Sequence, residues 1–440
     1  MEFMKIVELL VVGAVGALAA ILANRGIAVF NDGLRPVMPE FLDGKIGRKE
    51  LAATSFALSF GLVIGFGIPV SIGASILLVH SVLLATDIIG TWSPSGKKGI
   101  IIAGAVGAVY GVLLTLGLQL VIDAFALLPI NFLDALAKVG SPIVVAFAVF
   151  PAIAVAYQHG FKKGAITFLA TAASMFLVNW INMLQVLQIN GTNIKLSVEG
   201  MSLLVGMGFL IGFAISIKGD GNANQQLVSI FLERVKRIKA NWIILAVIGG
   251  LVSAATSMAL MAGDPISLNL MSQGNFTEAA LAAGARGIGF IPLVFSTAIV
   301  TGVYSPAGTT FVFVAGILLQ GNPIVAFIVG FIIMFVEIML LNGVAKGLDR
   351  FPGIREMGEH IRTAMNKVLE VALLIGGALA AEAIVPGVGF FWVAGLYLLN
   401  RTMKKPVVDL AVGPIAAISL GIIINLVYLV EQGILMIFGG

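Results

Sequence analysis

The sequence has no cysteine and very few charged side chains. Its 440 residues include no Cys and three His, and only 11% of them are Asp, Glu, Lys or Arg, against about 25% in soluble domains. Without Cys there can be no disulfide, thiolate catalysis or thiolate metal site. The three histidines, His80, His159 and His360, are far apart, which argues against a metal cluster. We therefore expect a membrane protein that carries neither a metal nor another cofactor.

The chain is instead rich in apolar residues. They make up 59% of the chain, and the mean hydropathy is +1.07. Apolar runs long enough to cross a bilayer, or nearly so, predict an all-α polytopic membrane protein with about 12–14 transmembrane segments. Two runs, at about 306–319 and 388–400, are too short for a straight crossing of about 30 Å. We therefore expect some helices to be broken or re-entrant.

The basic residues give the chain a predicted orientation. If residues 25–50 lie on the inner side, alternation of the spans places 22 of the 26 lysines and arginines inside, as cytoplasmic loops require. The four outside are Lys5, Lys138, Lys195 and Arg286, and both termini are then outside. Because topology explains the net charge of +4, we expect membrane lipid and no nucleic acid as a partner.

No long polar region interrupts the pattern, so residues 1–440 are predicted to form a single transmembrane domain. Two short echoes, 61–68 with 208–215 and 140–147 with 321–327, are compatible with duplicated halves at about 1–220 and 241–440, joined by the charged cytoplasmic loop 218–240. Chance matches between glycine-rich helices explain the echoes equally well. The GxxxG spacings at 107–111 and 343–347 predict close helix packing.

Four dipeptides pair a capping side chain with proline and predict helix starts: Ser93-Pro94, Ser141-Pro142, Ser305-Pro306 and Asn322-Pro323. The third lies in Tyr304 to Thr310 (YSPAGTT) and follows an apolar run that ends near Thr301. This pattern indicates a broken helix at membrane depth, whose free N–H groups would favour an anion. Trp92 to Gly96 (WSPSG) is similar, and the two tips could face one site. An ordinary cap at the membrane boundary is the alternative explanation.

The candidate substrate contacts around that break are Thr301, Tyr304, Ser305, Gly308 and Thr309. Two arginines join them. Arg35 lies in Asn31 to Pro36 (NDGLRP) near the inner mouth, where it could hold a carboxylate or phosphate, although topology and an Asp32–Arg35 pair explain it as well. Arg286 immediately precedes a predicted span and could recruit an anion at the outer mouth.

Three carboxylates lie inside apolar runs, where a charge costs a few kcal/mol. Asp87, Glu337 and Glu370 are predicted at depths of roughly 8, 12 and 5 Å from the inner side. They are candidate proton or cation sites, with Glu337 the deepest. A helix–helix hydrogen bond is an equally good interpretation of the first two, and Glu370 could reach water. His80 shares a helical face with Asp87 and could relay a proton.

Several stretches resemble one family. They are 28–36 (AVFNDGLRP), 86–90 (TDIIG), 141–151 (SPIVVAFAVFP), 286–292 (RGIGFIP) and 368–375 (VLEVALLI), and they are similar to the YhfT family of bacterial membrane proteins. The resemblance implies an inner-membrane protein presumed to be a transporter, with no established substrate. Asp32, Arg35, Asp87, Arg286, Glu337 and Glu370 match family positions, whereas His80, Glu382, Pro94 and Pro306 do not.

These patterns favour a secondary active transporter in the bacterial cytoplasmic (inner) membrane. It would move a small polar metabolite, with an anion as one option, by alternating access coupled to protons or sodium. We expect no enzymatic activity, because no cluster of nucleophile, base or metal ligands is visible. The alternatives are the membrane component of a phosphotransferase-type or multi-subunit uptake system, a channel, and last a membrane-embedded enzyme. A homodimer is left open.

Overall fold

The computed structural model describes residues 2–185, 188–189, 192–193, 196, 198–217, 225–347, 352–404, 406–407 and 409–438. The part 218–224 of the predicted cytoplasmic loop lies outside these ranges. The helices are α1 Glu2–Asn24, α2 Met38–Leu42, α3 Arg48–Leu62, α4 Ile68–Ala74, α5 Val79–Trp92, α6 Gly96–Ala126, α7 Leu133–Ala137, α8 Gly140–His159, α9 Phe161–Leu184, α10 Val198–Ser216, α11 Gln225–Lys239, α12 Trp242–Ser257, α13 Pro265–Ser272, α14 Phe276–Thr301, α15 Phe311–Leu318, α16 Pro323–Gly347, α17 Pro352–Ile384, α18 Gly389–Thr402 and α19 Asp409–Phe438. A 3-10 turn covers Arg35–Val37, and a π-helical turn covers Val63–Gly67.

Four strands of two residues each complete the fold: β1 Leu77–Leu78, β2 Gln188–Ile189, β3 Thr192–Asn193 and β4 Met261–Ala262. Because these strands are so short and the other elements are helices, the prediction of an all-α polytopic membrane protein is confirmed. Within the described ranges, six helices are long and apolar enough to cross a membrane, and two bent pairs raise that number to as many as eight. This is fewer than the 12–14 predicted segments, since several apolar runs form short pieces, such as the eight residues of α15.

Helices α1 and α6 pack at glycines. A Cβ built on Gly16 would lie 2.2 Å from the carbonyl oxygen of Gly107, and one built on Gly107 would lie 2.3 Å from that of Gly16. Only glycine permits this approach. Gly111 packs against Val12 in the same way, which confirms the prediction for the 107–111 spacing. The prediction for the second spacing is wrong at Gly343, where an added Cβ would have nothing within 4 Å.

The predicted inner ends of several helices meet at Arg48. Its guanidinium donates to the carbonyl oxygens of Asn24 (3.2 Å), Gly90 (2.8 Å) and Ser93 (2.6 Å), which end α1 and α5. Arg237 of α11 donates to the carbonyl oxygen of Gly26 at 2.7 Å. Segments that the charge pattern places on the inner side thus lie together on one face, as the predicted orientation requires.

Two helical segments are interrupted where β1 and β4 pair. Strand β1 connects α4 to α5, β4 connects α12 to α13, and the two strands are parallel with Leu77 opposite Met261. Asp264 then caps α13 by accepting a hydrogen bond from the backbone N–H of Ser267 at 2.8 Å. The strand pair provides hydrogen bonds for backbone groups that the helix interruptions leave free. Backbone groups inside a membrane need such internal partners.

A second pair of interruptions lies nearer the predicted inner side. We define the first break as residues 25–34, after α1, and the second break as residues 302–310, between α14 and α15. They join through a parallel bridge, in which Val29 N–H donates to Tyr304 O (3.1 Å) and Tyr304 N–H donates to Ile27 O (3.0 Å). The break predicted at YSPAGTT is confirmed, but α15 begins at Phe311 and not at Pro306.

Candidate functional site

Asp87 of α5 holds the tip of the first break. One oxygen of its carboxylate accepts a hydrogen bond from the backbone N–H of Asn31 at 2.7 Å, and the backbone N–H of Phe30 lies 3.0 Å from each of the two oxygens and donates to both. Asp87 is buried. The side-chain amide of Asn31 then donates to the carbonyl oxygen of Leu58 and to the hydroxyl of Ser59 on α3. The first break is thus fixed between α3 and α5 by hydrogen bonds to its own backbone and to Asn31.

Glu337 of α16 holds the second break in a comparable way. Its carboxylate accepts the Tyr304 hydroxyl and the Thr309 N–H, each at 2.9 Å, and also the Thr309 hydroxyl. Gly308 has φ of +54°, and a Cβ there would lie 2.2 Å from an oxygen of Glu337. Glycine is therefore required at this position, both for its left-handed backbone and for its closeness to the carboxylate.

The two deep acids consequently share one structural role. Each accepts hydrogen bonds from the free N–H groups of a break, which favour an acidic group, so the acceptor at the predicted YSPAGTT tip is a side chain of the protein itself. The alternative of plain helix–helix hydrogen bonds does not describe them, because their partners lie in the two breaks. The structure also brings the second break to the first break, and not to WSPSG as the sequence suggested.

A cavity of about 470 Å³ opens between the two breaks. Its wall has a polar part and an apolar part. The polar lining comprises Asn31, Asp32, Arg35, Thr54, His80, Arg286, Ser305, Thr310, Arg362 and Asn366. The apolar lining comprises Phe30, Val37, Leu58, Leu62, Leu84, Phe290, Val294, Met365 and Leu369, and Gly33 and Gly308 complete it. A mostly apolar wall with a few convergent polar groups is typical of small-molecule sites.

Arg35 lies at the base of the first break and is only 2% exposed. Its Nη2 is 2.8 Å from Oδ1 of Asp32, so the predicted Asp32–Arg35 pair is present, and its Nε donates to the carbonyl oxygen of Val29 at 3.2 Å. Its Nη1 has no hydrogen-bond partner among the described residues. Arg35 thus lines the cavity and keeps one buried donor nitrogen without a partner in the described chain.

Arg286 also lines the cavity, which corrects its predicted position. The sequence placed it ahead of a span at the outer mouth, but α14 begins at Phe276, and Arg286 lies within this helix at 4% exposure. Its guanidinium stacks on the ring of Phe290, 4.7 Å from the centroid. Its Nε is without a hydrogen-bond partner in the described ranges. The alanine- and glycine-rich start of α14 is less apolar than a typical span, which concealed it in the sequence.

The other predicted contacts divide into two groups. Ser305 and Gly308 line the cavity together with the two arginines. Thr301, Tyr304 and Thr309 instead bond to protein atoms: the Thr301 hydroxyl donates to the carbonyl oxygen of Thr297, and the other two hold Glu337. In the second break, Ser305 and Gly308 therefore form part of the cavity wall, whereas Tyr304 and Thr309 hold Glu337 in place.

Glu370 lies apart from both breaks. Its carboxylate is bonded to Lys367 (3.2 Å), Arg401 (3.0 Å) and the Tyr397 hydroxyl (2.9 Å), and its side chain is 19% exposed. Its charge is therefore matched by two cations near the predicted inner side. The structure does not bring it to the cavity with Asp87 and Glu337.

The sequence did not identify lining residues such as Thr310 and Arg362 as site residues, and it indicated His80 only as a proton relay to Asp87. Nδ1 of His80 and Oγ1 of Thr310 are buried and have no hydrogen-bond partner within the described chain. His80 packs edge-on against Phe30 and Phe66, and no contact between it and Asp87 supports a proton relay. Arg362 stands on α17. The only sequence signal was the number of polar side chains near the first break.

The cavity opens toward the predicted inner side. Arg362 is one third exposed, and Thr54 and Asn366 are also accessible. All three come from ends of helices that the basic residues place inside. Toward the other side the wall is formed by apolar residues such as Leu62 and Phe290.

Comparison with known proteins identifies the relatives of this chain. A family model described as "YhfT: Protein of unknown function" matches residues 8–432. The "Uncharacterized protein YhfT" of Escherichia coli (strain K12) is 33% identical over 438 residues, which cover 96% of this chain and 97% of that protein. No solved structure matches. The chain is therefore a multi-span membrane protein that belongs to the YhfT family.

Proposed function

We propose that the protein is a secondary active transporter in a bacterial cytoplasmic membrane, which moves a small polar metabolite carrying an anionic group. The observation that carries this proposal is the pair of buried arginines, Arg35 and Arg286, which line the same cavity and each keep one donor nitrogen without a partner among the described residues. A buried donor without a partner costs about 1–3 kcal/mol. An anionic ligand would remove that cost at both residues and form charge-assisted hydrogen bonds.

The volume of the cavity suits this class of ligand. At about 470 Å³, it falls within the roughly 300–1,000 Å³ of small-molecule sites. The charge of Arg362 at the cavity entrance would raise the local concentration of anions. The second break, which interrupts the helical path between α14 and α15 and lines the cavity, also fits the arrangement of transporters, where interrupted helices line the binding site.

Asp87 and Glu337 are the groups that we propose to couple transport to protons or sodium. Each carboxylate accepts hydrogen bonds from a break, so adding a proton to it would remove the charge that these N–H groups favour. The break would then be held less tightly and could move toward an outward-facing arrangement. We leave Glu370 out of this role because Arg401 and Lys367 already neutralise it. The proposal includes no enzymatic step, and a homodimer remains an expectation.

The test uses the purified protein and vesicles. Thermal shifts should first be screened with carboxylates and phosphate esters, and the stabilising compounds should then be assayed for uptake with and without an ion gradient. We expect Arg286→Gln to abolish the shift and the uptake, while Lys98→Gln, which removes an exposed inner charge, leaves both unchanged. If Arg286→Gln folds and transports like the wild type, or if no anion shifts the wild-type protein, the proposal fails.

A further inference from the structure

The wall of the cavity carries charges of both signs. Asp32 lies on the tip of the first break, lines the cavity and is 26% exposed there, although it pairs with Arg35. Asp87 and Glu337, in contrast, are buried and bonded to the breaks. Within the described residues, Asp32 is the only carboxylate that lines this cavity. A ligand in the cavity therefore meets one accessible acid as well as the arginines.

The carboxylate of Asp32 has capacity for another donor. A carboxylate offers about four acceptor positions, and Arg35 contacts Asp32 through one nitrogen at 2.8 Å. Arg35 in turn keeps Nη1 free. An ammonium group at Asp32 and a carboxylate at the arginines could thus be bound together, without breaking the existing pair.

The charge balance around Arg286 favours a ligand of no net charge. Asp264, buried at the start of α13, and Asp32 both act electrostatically on Arg286. Arg35 and Arg286 are therefore already accompanied by Asp32 and Asp264. A dianion would place two further negative charges near Asp32 and Asp264, at a cost in desolvation. A zwitterion adds one charge of each sign.

The rest of the wall indicates what the ligand carries besides its charges. Leu58, Leu62 and Leu84 come from α3 and α5, and Phe290 and Val294 come from α14. They form an apolar surface beside the polar groups. Burying an apolar side chain there is favourable in proportion to the area removed from water.

Resting on the proposed function, we propose that the substrate is a small zwitterion of the α-amino acid type with an apolar side chain. Its carboxylate binds Arg286 and the free Nη1 of Arg35, its ammonium binds Asp32, and its side chain packs against the apolar wall. Asp32 is then the residue that distinguishes an amino acid from a simple carboxylic acid. This distinction is a difference of affinities and can be measured as one.

Three probes that share an isobutyl group test the inference: leucine, 4-methylpentanoate, which lacks the amine, and 3-methylbutylamine, which lacks the carboxylate. Affinities are measured on the full-length protein in detergent by thermal shift against concentration. We expect leucine to bind at least about tenfold more tightly than either analogue, since each loses a hydrogen bond to a charged group. Equal or tighter binding of either analogue overturns the inference.

Variants of Asp32 separate a role in recognition from a role in folding. Asp32→Asn should abolish the preference for leucine over 4-methylpentanoate, and Asp32→Glu, which keeps the charge, should retain it. This ratio of affinities does not depend on the stability of the variant. If a folded Asp32→Asn protein prefers leucine over 4-methylpentanoate as strongly as the wild type does, the inference is overturned. It is also overturned if Asp32→Glu loses this preference as Asp32→Asn does.

The result also distinguishes this inference from the proposed function. If 4-methylpentanoate binds as well as leucine and Arg286→Gln abolishes both, the zwitterion is wrong and the anion transporter stands. If none of the three probes binds, the apolar amino acid is wrong. The proposed function then fails as well only if the carboxylates and phosphate esters of the wider screen also give no shift.

Discussion

Replacement of Asp87 should destabilise the protein by an amount that its hydrogen bonds define. The carboxylate accepts Asn31 N–H at 2.7 Å on one oxygen and Phe30 N–H at 3.0 Å on both. In Asp87→Asn, the remaining oxygen can accept both N–H groups, but the new NH₂ faces the Phe30 N–H as a second donor. We expect a loss of about 1–3 kcal/mol, the value of a hydrogen bond to a charged group.

Asp87→Ala should be worse, because it leaves two buried N–H groups without an acceptor. At about 1–3 kcal/mol for each, the expected loss is about 2–6 kcal/mol. The tip of the first break would lose its attachment to α5, while the side chain of Asn31 on α3 and the bridge to the second break would remain. The order of stability is therefore wild type, then Asp87→Asn, then Asp87→Ala.

Thermal unfolding in detergent, followed by intrinsic fluorescence or by the monodisperse fraction after heating, measures this order. Asp43→Asn is the matched control, since Asp43 is more than half exposed and its carboxylate forms an ion pair of 3.6 Å with the Lys45 ammonium. Such an exposed ion pair contributes less than about 1 kcal/mol to stability. If Asp87→Ala unfolds at the wild-type temperature, Asp87 does not hold the first break, and the account of the deep acids is refuted.

Further variants test the second break and the inner face. Gly308→Ala should lower both the unfolding temperature and uptake, because left-handed backbone costs an alanine about 1–2 kcal/mol and the new Cβ would overlap a Glu337 oxygen. The control is Gly343→Ala on α16, where an added Cβ has no neighbour within 4 Å. This variant should fold and transport normally. Arg48→Gln should lower stability by about 1–3 kcal/mol by freeing backbone carbonyls, measured by the same unfolding assay, and the exposed Lys49→Gln should not. Equal behaviour of variant and control in either pair would contradict the corresponding contact.

The class of the protein and the existence of the second break could be predicted from the sequence. Low charge and long apolar runs are consequences of the bilayer itself, and Ser305-Pro306 within YSPAGTT cannot continue a regular helix. The burial of Asp87 and Glu337 also followed from their position in the runs. Each of these signals is local in the sequence.

The contents of the cavity could not be predicted, because they depend on contacts between distant segments. Nothing in YSPAGTT indicates that its partner is the first break, some 270 residues earlier, or that its N–H groups face Glu337. Arg286 was misplaced because α14 begins with small residues of modest hydropathy. Asp32 was recognised only as the partner of Arg35, since exposure to a cavity has no sequence signature.

The most direct test of the central claim is an experimental density map of the protein in lipid nanodiscs, recorded with and without the compound that gives the largest thermal shift. The account predicts ligand density between Arg286 and the tip of the first break, with Asp87 and Glu337 bonded to the two breaks in the ligand-free map. Uninterrupted helices, or a ligand bound away from both arginines, would contradict it.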